Sequence, residues 1–517
     1  MSLNLEFIRR NIIGERRPIN TPFGTKPLVY ADYTASGRNL AFIEQFIQQQ
    51  VMPYYGNTHT ETSLTGRQTT QLREQSRQII RQSLNATKEH LVIFTGSGAT
   101  SAINKFIHLL DLPRYTNAKP VVFIGPYEHH SNDLPWREAD VTLVRVPLTV
   151  TGELDQVYLE QKLKHYQNAP LKVGSFSAAS NVTGLKSDIK AITHLLKSHG
   201  ALACWDFAAA APYMPIDLQA LPIDALFISP HKFLGGPGTP GILAVRDDCF
   251  SQSIPSNNGG GTVSYVNTST HRYVENIERR EEGGTPDIVG SIRAGLAFKL
   301  QRSIGLDYIQ GKEEHLVELA FTKWNQTPNL DLLGSLNLPR LAIFSFIIKG
   351  LNYGLVVAML NDLFGIQARG GCSCAGPYAH ELLAISEEQS LKIEDKLSQG
   401  QQSFRPGWVR LNLHYLMDAE SIDYILDAVD LIAKYGHKLA KAYIYDDHKN
   451  LWLYQGKKPA LNVSLLDVDY TQDGDSKTVV SLKHCMQQAK ELLAPQDLDE
   501  LEKTAENYHF TAAENTV

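Results

Sequence analysis

The sequence predicts an α/β fold, a mainly parallel sheet with helices on both faces, followed by a smaller α+β domain. Three observations predict it. Short apolar runs alternate with amphipathic helical patterns from about Leu28 to Val245, as in chains of βαβ units. Several of those runs end in loops of glycine and small polar residues, where open α/β sheets bind ligands. After the loop Gly283–Ile288 that regular alternation stops.

The expected strands are LVIF (Leu91–Phe94), PVVFI (Pro120–Ile124), VTLVRV (Val141–Val146), LKVGSF (Leu171–Phe176), ALACW (Ala201–Trp205) and DALFI (Asp224–Ile228). Helices fall between them. Ile103, Phe106, Ile107 and Leu110 repeat at i, i+3, i+4, i+7, and Ile189, Ile192, Leu195 and Leu196 fill one face in the same way. Beyond Ile288, two helical stretches lead to the strand LAIFSFIIK, the helix YGLVVAMLNDLF, the strand GWVRLNL and the helix IDYILDAVDLIAKYG. The expected organisation is a segment 1–27 packing on the small domain, a large domain 28–285, a small domain 286–437 with a cysteine loop, and an extension 438–517. In that extension AYIYDDHKNLWLYQG is aromatic-rich, DVDYTQDGDSK is turn-like and 478–508 reads as helix; no function follows from it.

Size and charge narrow the function. A chain of 517 residues exceeds what one core usually serves, so at least two packing units are expected. Lys+Arg of 49 against Asp+Glu of 55 gives a net charge of −6, which offers no footprint for nucleic acid or anionic membranes. The longest apolar runs, such as Leu341–Ile348, are too short to span a bilayer, and the N-terminus lacks the order of a secretory signal. Five cysteines, Cys204, Cys249, Cys372, Cys374 and Cys485, form an odd, sparse set. They point to the reducing cytoplasm and to catalytic or metal-binding use of any special cysteine.

Five strand ends carry candidate chemistry. FTGSGATSAIN (Phe94–Asn104) runs from strand through glycines into a helix, whose start at Ala99–Thr100 offers N–H groups and a positive dipole end to phosphate. CWDFAAAAPY places Asp206 at the end of a buried strand, where a carboxylate needs a cationic partner. GPYEHHSND puts His129 just past a third strand, able to present a flat ring, and SAASNVTG offers Asn181 as a donor. FISPHKFLGGPGTPG sets Lys232 beyond a buried strand, with Ser229 and His231 as further donors. In ARGGCSCAGPY, Cys372 and Cys374 lie on a glycine-flanked loop with Arg369 nearby to favour a thiolate; the second pair that a closed zinc site needs is not evident. Arg410, on the strand GWVRLNL, suits a substrate carboxylate gripped by two parallel hydrogen bonds.

With these motifs the sequence resembles the class V branch of fold-type I pyridoxal-phosphate enzymes, specifically the cysteine desulfurase and selenocysteine lyase group, over roughly Leu28–Tyr415. VYADYTASGR and YGNTHTETSLTGR resemble the family's opening segments, and EHHSNDLPW matches its Glu-His-His-x-Asn-x-x-Pro-Trp element. The resemblance implies a seven-stranded-type sheet and pyridoxal 5'-phosphate as cofactor. It implies that His129 stacks on the ring, Asn181 sits beside it, Asp206 pairs with the pyridine nitrogen and Lys232 is the anchoring lysine. Ala99, Thr100, Ser229 and His231 would hold the phosphate. GGTPDI resembles the loop that reaches the phosphate of a neighbouring subunit, which implicates Thr285 and a homodimer. Cys374 stands in the nucleophile's position, with Cys372 two residues before it.

The activity implied is conversion of L-cysteine to L-alanine. Sulfur would pass to Cys374 as a persulfide and on to a protein acceptor, with Arg410 and Arg369 holding the substrate carboxylate. Selenocysteine lyase, a molybdenum-cofactor-sulfurase-like enzyme, a class V aminotransferase or epimerase, and a non-catalytic binding protein on the same fold are the alternatives. The sequence departs from the family pattern at Ala209, where Gln or His is usual, at Ser101, where Glu is usual, and in its long extension.

Overall fold

The computed structural model describes residues 4–250, 252–457 and 480–493. The chain divides into two compact units. The first takes Met1–Ile13, Thr34–Lys312 and Ser335–Leu341, and the second Gly14–Tyr33, Glu313–Gly334 and Ala342–Val517.

The first unit is built on seven strands: β1 (His90–Thr95), β2 (Val121–Ile124), β3 (Thr142–Arg145), β4 (Lys172–Ser177), β5 (Leu202–Asp206), β6 (Ala225–Ile228) and β7 (Gly241–Arg246). Their order is β1-β7-β6-β5-β4-β2-β3. Strands β2 to β6 run parallel, while β7 is antiparallel to both neighbours. The six strands expected from sequence appear within a residue or two of their predicted bounds. The seventh, GILAVR, was not singled out, and it is antiparallel because the 229–240 connection holds only one short helical turn, not a crossover helix. Every residue of β2, β4 and β6 is buried, which is why these strands read as near-continuous apolar runs.

Helix α1 (Leu64–Ser83), helix α2 (Gly98–Leu109) and helix α3 (Ile288–Ile304) belong to this unit. The predicted face of α2 is its buried face: Ile103 and Phe106 join Ile93, Val122, Val173, Phe227 and Leu243 in one apolar cluster.

The second unit holds a four-stranded sheet of β8 (Leu330–Leu332), β9 (Ile343–Ile348), β10 (Arg369–Gly371) and β11 (Trp408–Asn412), antiparallel in the order β8-β9-β11-β10. Helix α4 (Tyr353–Phe364) and helix α5 (Ala419–Tyr435) pack their apolar faces with it. Val29–Tyr30 pairs in parallel with Ile366–Gln367, which brings the N-terminal segment beside this sheet.

The described parts of the extension join the same core. Its aromatic stretch is a hairpin, Tyr443–Asp446 with Leu451–Tyr454, and Leu482, Cys485, Met486, Ala489 and Leu493 of helix α6 (Leu482–Leu493) are buried in the second unit's cluster. The turn-like 467–477 and most of the remainder of the expected helix 478–508 lie outside the described residues.

The unit bounds therefore differ from the sequence boundaries at 27, 285 and 437. Helix α3 packs along α1 inside the first unit, and residues 14–27 fold as a hairpin, Pro18–Thr21 with Gly24–Pro27, against α4 of the second. Among the described residues no helix is long and apolar enough to cross a membrane.

Candidate active site

In the first unit five strand ends, of β1, β2, β4, β5 and β6, come to one edge of the sheet. Lys232 closes the single helical turn Pro230–Lys232 that follows β6. The turn is held from the N-terminal side, where Gly37 N–H and Ser36 O–H both donate to the carbonyl of His231, at 2.8 and 3.2 Å. Lys232 is half-buried, and its charge reaches Asp206 on the neighbouring strand end. Asp206 is the last residue of β5, buried, with Oδ1 accepting the Ala208 N–H at 2.8 Å. Burial raises its carboxyl above the ordinary value; the Ala208 hydrogen bond and the Lys232 charge pull it back.

At the head of α2 the chain turns sharply after β1. Gly98 has φ +56°, and a Cβ there would lie 2.8 Å from Ser229 Oγ. Ala99 N–H donates to that Oγ at 2.9 Å. Ser229 thus caps the helix start, and its own proton is directed elsewhere. His231 is driven down to about 4 by burial and by the charge of Lys232. At neutral pH it is an uncharged ring that can donate one N–H.

Thr100 Oγ1 lies 2.7 Å from Ser131 Oγ, which is 3.0 Å from His129 Nδ1. The Ser131 N–H also donates to Nδ1, at 3.1 Å. A backbone N–H can only donate, so Nδ1 is an acceptor and a neutral His129 carries its proton on Nε2. Ser131 therefore ties the hydroxyl of the helix head to the histidine ring. It was visible in the EHHSN motif but carried no role there. Asn181 is buried in the loop after β4. Thr285 lies on the Gly283–Ile288 loop, its Oγ1 accepting from Asn57 Nδ2 at 3.3 Å.

These groups suit a phosphorylated, planar, protonable ring. The helix start, Ser229, Thr100 and a neutral His231 offer hydrogen bonds to an anion, and the missing Cβ of Gly98 leaves the helix head open. Asp206 is a buried carboxylate that a ring cation would stabilise, and Lys232 is an amine within its field.

The second unit carries its own constellation. Arg369 and Arg410 are cross-strand partners on β10 and β11, and Asp32 stands with both: Oδ1 accepts from Arg410 Nη2 and Oδ2 from Arg369 Nε, each at 3.0 Å. Arg410 is buried, while the Arg369 side chain is half-exposed at 51%. Burial lowers the Arg410 guanidinium from its ordinary value; Asp32 opposes that, Arg369 adds to it, and the nearby Cys374 opposes it. Asp32 was not among the candidates, because nothing local in VYADY signals a partner more than three hundred residues away.

Cys374 is exposed and Cys372 partly so, and all five cysteines are free thiols. Ser373 and Cys374 both take left-handed backbone angles, φ +53° and +57°. Two successive non-glycine residues in that region mark a strained turn of the kind found at functional sites. Ala375 N–H closes it on the carbonyl of Cys372 at 3.1 Å.

Residues 29–425 match the family model for class V aminotransferases. The chain belongs to that family. It is 29% identical over 358 residues to a Streptomyces coelicolor protein described as a "probable cysteine desulfurase", a match covering 68% of this chain and 84% of that protein. A Borreliella burgdorferi protein of the same description is 26% identical, with 69% and 85% covered. Among solved structures, the apo cysteine desulfurase of Thermococcus onnurineus NA1 superposes with a TM-score of 0.69 at 24% identity, covering 84% of this chain and all of that one. The Escherichia coli cysteine desulfurase CsdA gives 0.64 at 22%, with 83% and 98% covered. The shared architecture is the fold-type I sheet with helices on both sides, which agrees with the fold class expected from sequence.

Proposed function

We propose that the protein is a pyridoxal 5'-phosphate-dependent cysteine desulfurase that converts L-cysteine to L-alanine and carries the sulfur away as a persulfide on Cys374. The observation that carries this reading is the Cys374 thiol, exposed on a strained turn in the field of Arg410. It belongs to a class V chain whose sheet edge gathers an amine, a buried carboxylate and an anion cradle. The descriptions of its curated relatives support the same activity.

When bound, pyridoxal phosphate supplies an aldehyde for amine capture and an electron-withdrawing ring. Lys232 Nζ would be the amine that holds it and, when not so engaged, the neutral base placed to take a proton from the substrate Cα. Asp206, buried at the end of β5, would face the ring nitrogen and hold a proton there. His129, with its proton on Nε2, would stack on the ring, and Asn181 would sit at the ring edge. Thr100, Ser229, His231 and the helix start at Ala99 would hold the phosphate, and Thr285 would reach that of a second copy in a homodimer. Arg410 and Arg369 take the substrate carboxylate. Cys374 Sγ, as thiolate, attacks the substrate sulfur: an S–S bond forms, the Cβ–S bond breaks, and the carbon fragment is protonated to alanine. The persulfide then passes to an acceptor thiol in the reducing cytoplasm.

Two variants test the proposal. Lys232→Ala is expected to lose both the visible cofactor band and turnover. Cys374→Ala is expected to keep the band and lose sulfide release from cysteine. Sulfide release at the wild-type rate from Cys374→Ala would sink the desulfurase reading and leave the cofactor reading standing.

A further inference from the structure

Behind His129 lies an acid that the mechanism above does not use. Glu128 is 1% exposed. Its Oε1 accepts the Ser177 N–H at 2.9 Å, and its Oε2 accepts Ser177 Oγ at 2.6 Å and Asn132 Nδ2 at 2.7 Å. The carboxylate folds back over its own loop, where a Cβ on Gly125 would lie 2.4 Å from Oε1. Glycine is needed there to let the acid in.

Each partner leads to a different part of the site. Ser177 ends β4 and opens the loop to Asn181; it is also the register partner of Asp206 on β5, and Ala178 N–H donates to the Asp206 carbonyl at 2.9 Å. Asn132 is fixed in turn by Ser175 Oγ at 2.6 Å and Trp136 Nε1 at 3.3 Å. Glu128 itself adjoins His129. One carboxylate thus joins the loops that carry the ring-facing histidine, the ring-edge asparagine and the acid for the ring nitrogen.

We propose that Glu128 is a positioning residue of the cofactor site, locking His129, Asn181 and Asp206 in one frame and, when ionised, adding a second negative charge behind the carboxylate of Asp206. The inference rests on the pyridoxal-phosphate reading. A buried carboxylate is costly unless something repays its desolvation, and a neutral side chain could join the loops equally well. Burial and the charge of Asp206 both oppose ionisation of Glu128, while the Ser177 and Asn132 donors favour it. Above about 7, where Glu128 ionises, two carboxylates at adjacent strand ends would favour a protonated ring and a protonated anchor.

The test uses the full-length protein loaded with pyridoxal phosphate. Glu128→Gln is expected to fold with a melting temperature close to wild type. Its visible circular dichroism should weaken as the ring loses its fixed orientation. The pH midpoint of its visible absorption band should fall by about 0.5 unit or more, roughly threefold in proton affinity, because a nearby negative charge is gone. A merely structural role would lower the melting temperature and leave the midpoint in place.

Should Glu128→Gln fail to fold, Ser177→Ala carries the test. It keeps the charge and removes one donor, so weakened visible dichroism is expected. Either folded variant with wild-type dichroism and an unmoved midpoint (for Ser177→Ala, wild-type dichroism) overturns the inference. A wild-type chain that shows no visible band with pyridoxal phosphate overturns the functional reading, and this inference with it.

Discussion

Asp32 Oδ1 accepts a hydrogen bond from Arg410 Nη2 at 3.0 Å, and this carboxylate is what lets two guanidinium groups stand opposite each other on β10 and β11. Arg410 is buried and would repel Arg369 across the strands without it. The pairing leaves the group of three with one net positive charge.

The exposed Arg369 half of that pairing contributes little to stability, since solvent screens it. The buried half is different, because removing Asp32 strands a charge in the interior. Asp32→Asn is expected to cost about 3 kcal/mol in denaturant unfolding. Adding Arg410→Met to it should recover most of that loss, since the stranded charge is then gone. A loss in the single variant no larger than that of a surface ion pair would refute the buried-charge account.

The pH dependence of stability sets acid against base. Burial pushes Glu128 up to about 7, so between its ordinary value and 7 the native state holds a proton that the unfolded chain releases. Its stabilising contribution is present at low pH and is lost as pH rises through 7, by about 3 kcal/mol at most. His231 and His414 run the other way. Burial lowers them to about 4 and about 3, so the unfolded chain binds their protons first and stability rises with pH up to the ordinary histidine value. Wild type should therefore show a shallow profile between pH 4.5 and 6.5. Glu128→Gln removes the opposing contribution and should steepen the rise, as read from melting temperature against pH.

Gly98 tests the phosphate cradle. Its left-handed φ costs an L-residue about 1–2 kcal/mol, and the added Cβ would press on Ser229 Oγ. Gly98→Ala should weaken pyridoxal-phosphate binding about tenfold or more in an absorbance titration. Gly200 provides the control: its φ is +66°, with nothing within 4 Å of an added Cβ. Gly200→Ala should cost similar stability and leave cofactor affinity unchanged. Equal effects of both variants on affinity would remove Ser229 and the helix head from the binding site.

Most of the sheet-edge residues were legible because each follows a buried apolar run. Lys232, Asp206, His129 and Asn181 could be placed past strand ends without knowing the fold. β7 was harder, since an antiparallel strand buried on both faces reads like a parallel one and only its short connection sets it apart. The pairings that matter in the second unit leave no local trace. Asp32 meets Arg369 and Arg410 across 337 and 378 residues, a distance no periodicity spans. Glu128 stands beside His129 in the EHHSN motif, but its role is not legible there because its partners lie on β4 and in the following turn. The extension's hairpin was visible as aromatic composition, while its packing into the second core depended on contacts made elsewhere.

The open edge of the large sheet yields the last prediction. Strand β1 pairs with β7 on one side only, leaving the N–H groups of Val92 and Phe94 facing outward. Glu278 and Glu282, one helical turn apart, accept them at 2.6 and 2.7 Å, and Arg77 from α1 donates to the Val92 carbonyl. Burial alone would raise the Glu282 carboxyl, but the charges of Arg77 and Arg73 bring it below its ordinary value. Two glutamates thus do for β1 what a neighbouring strand would do, and they cover an edge that would otherwise recruit another chain. Glu282→Ala should lose about 3 kcal/mol and scatter light on heating below the wild-type melting point. Glu282→Gln keeps an oxygen for the Phe94 N–H but leaves Arg73 and Arg77 without that charge, so it should be destabilised and still remain clear. If both variants scatter alike, the loss of the ion pairs, not the uncovered edge, drives aggregation.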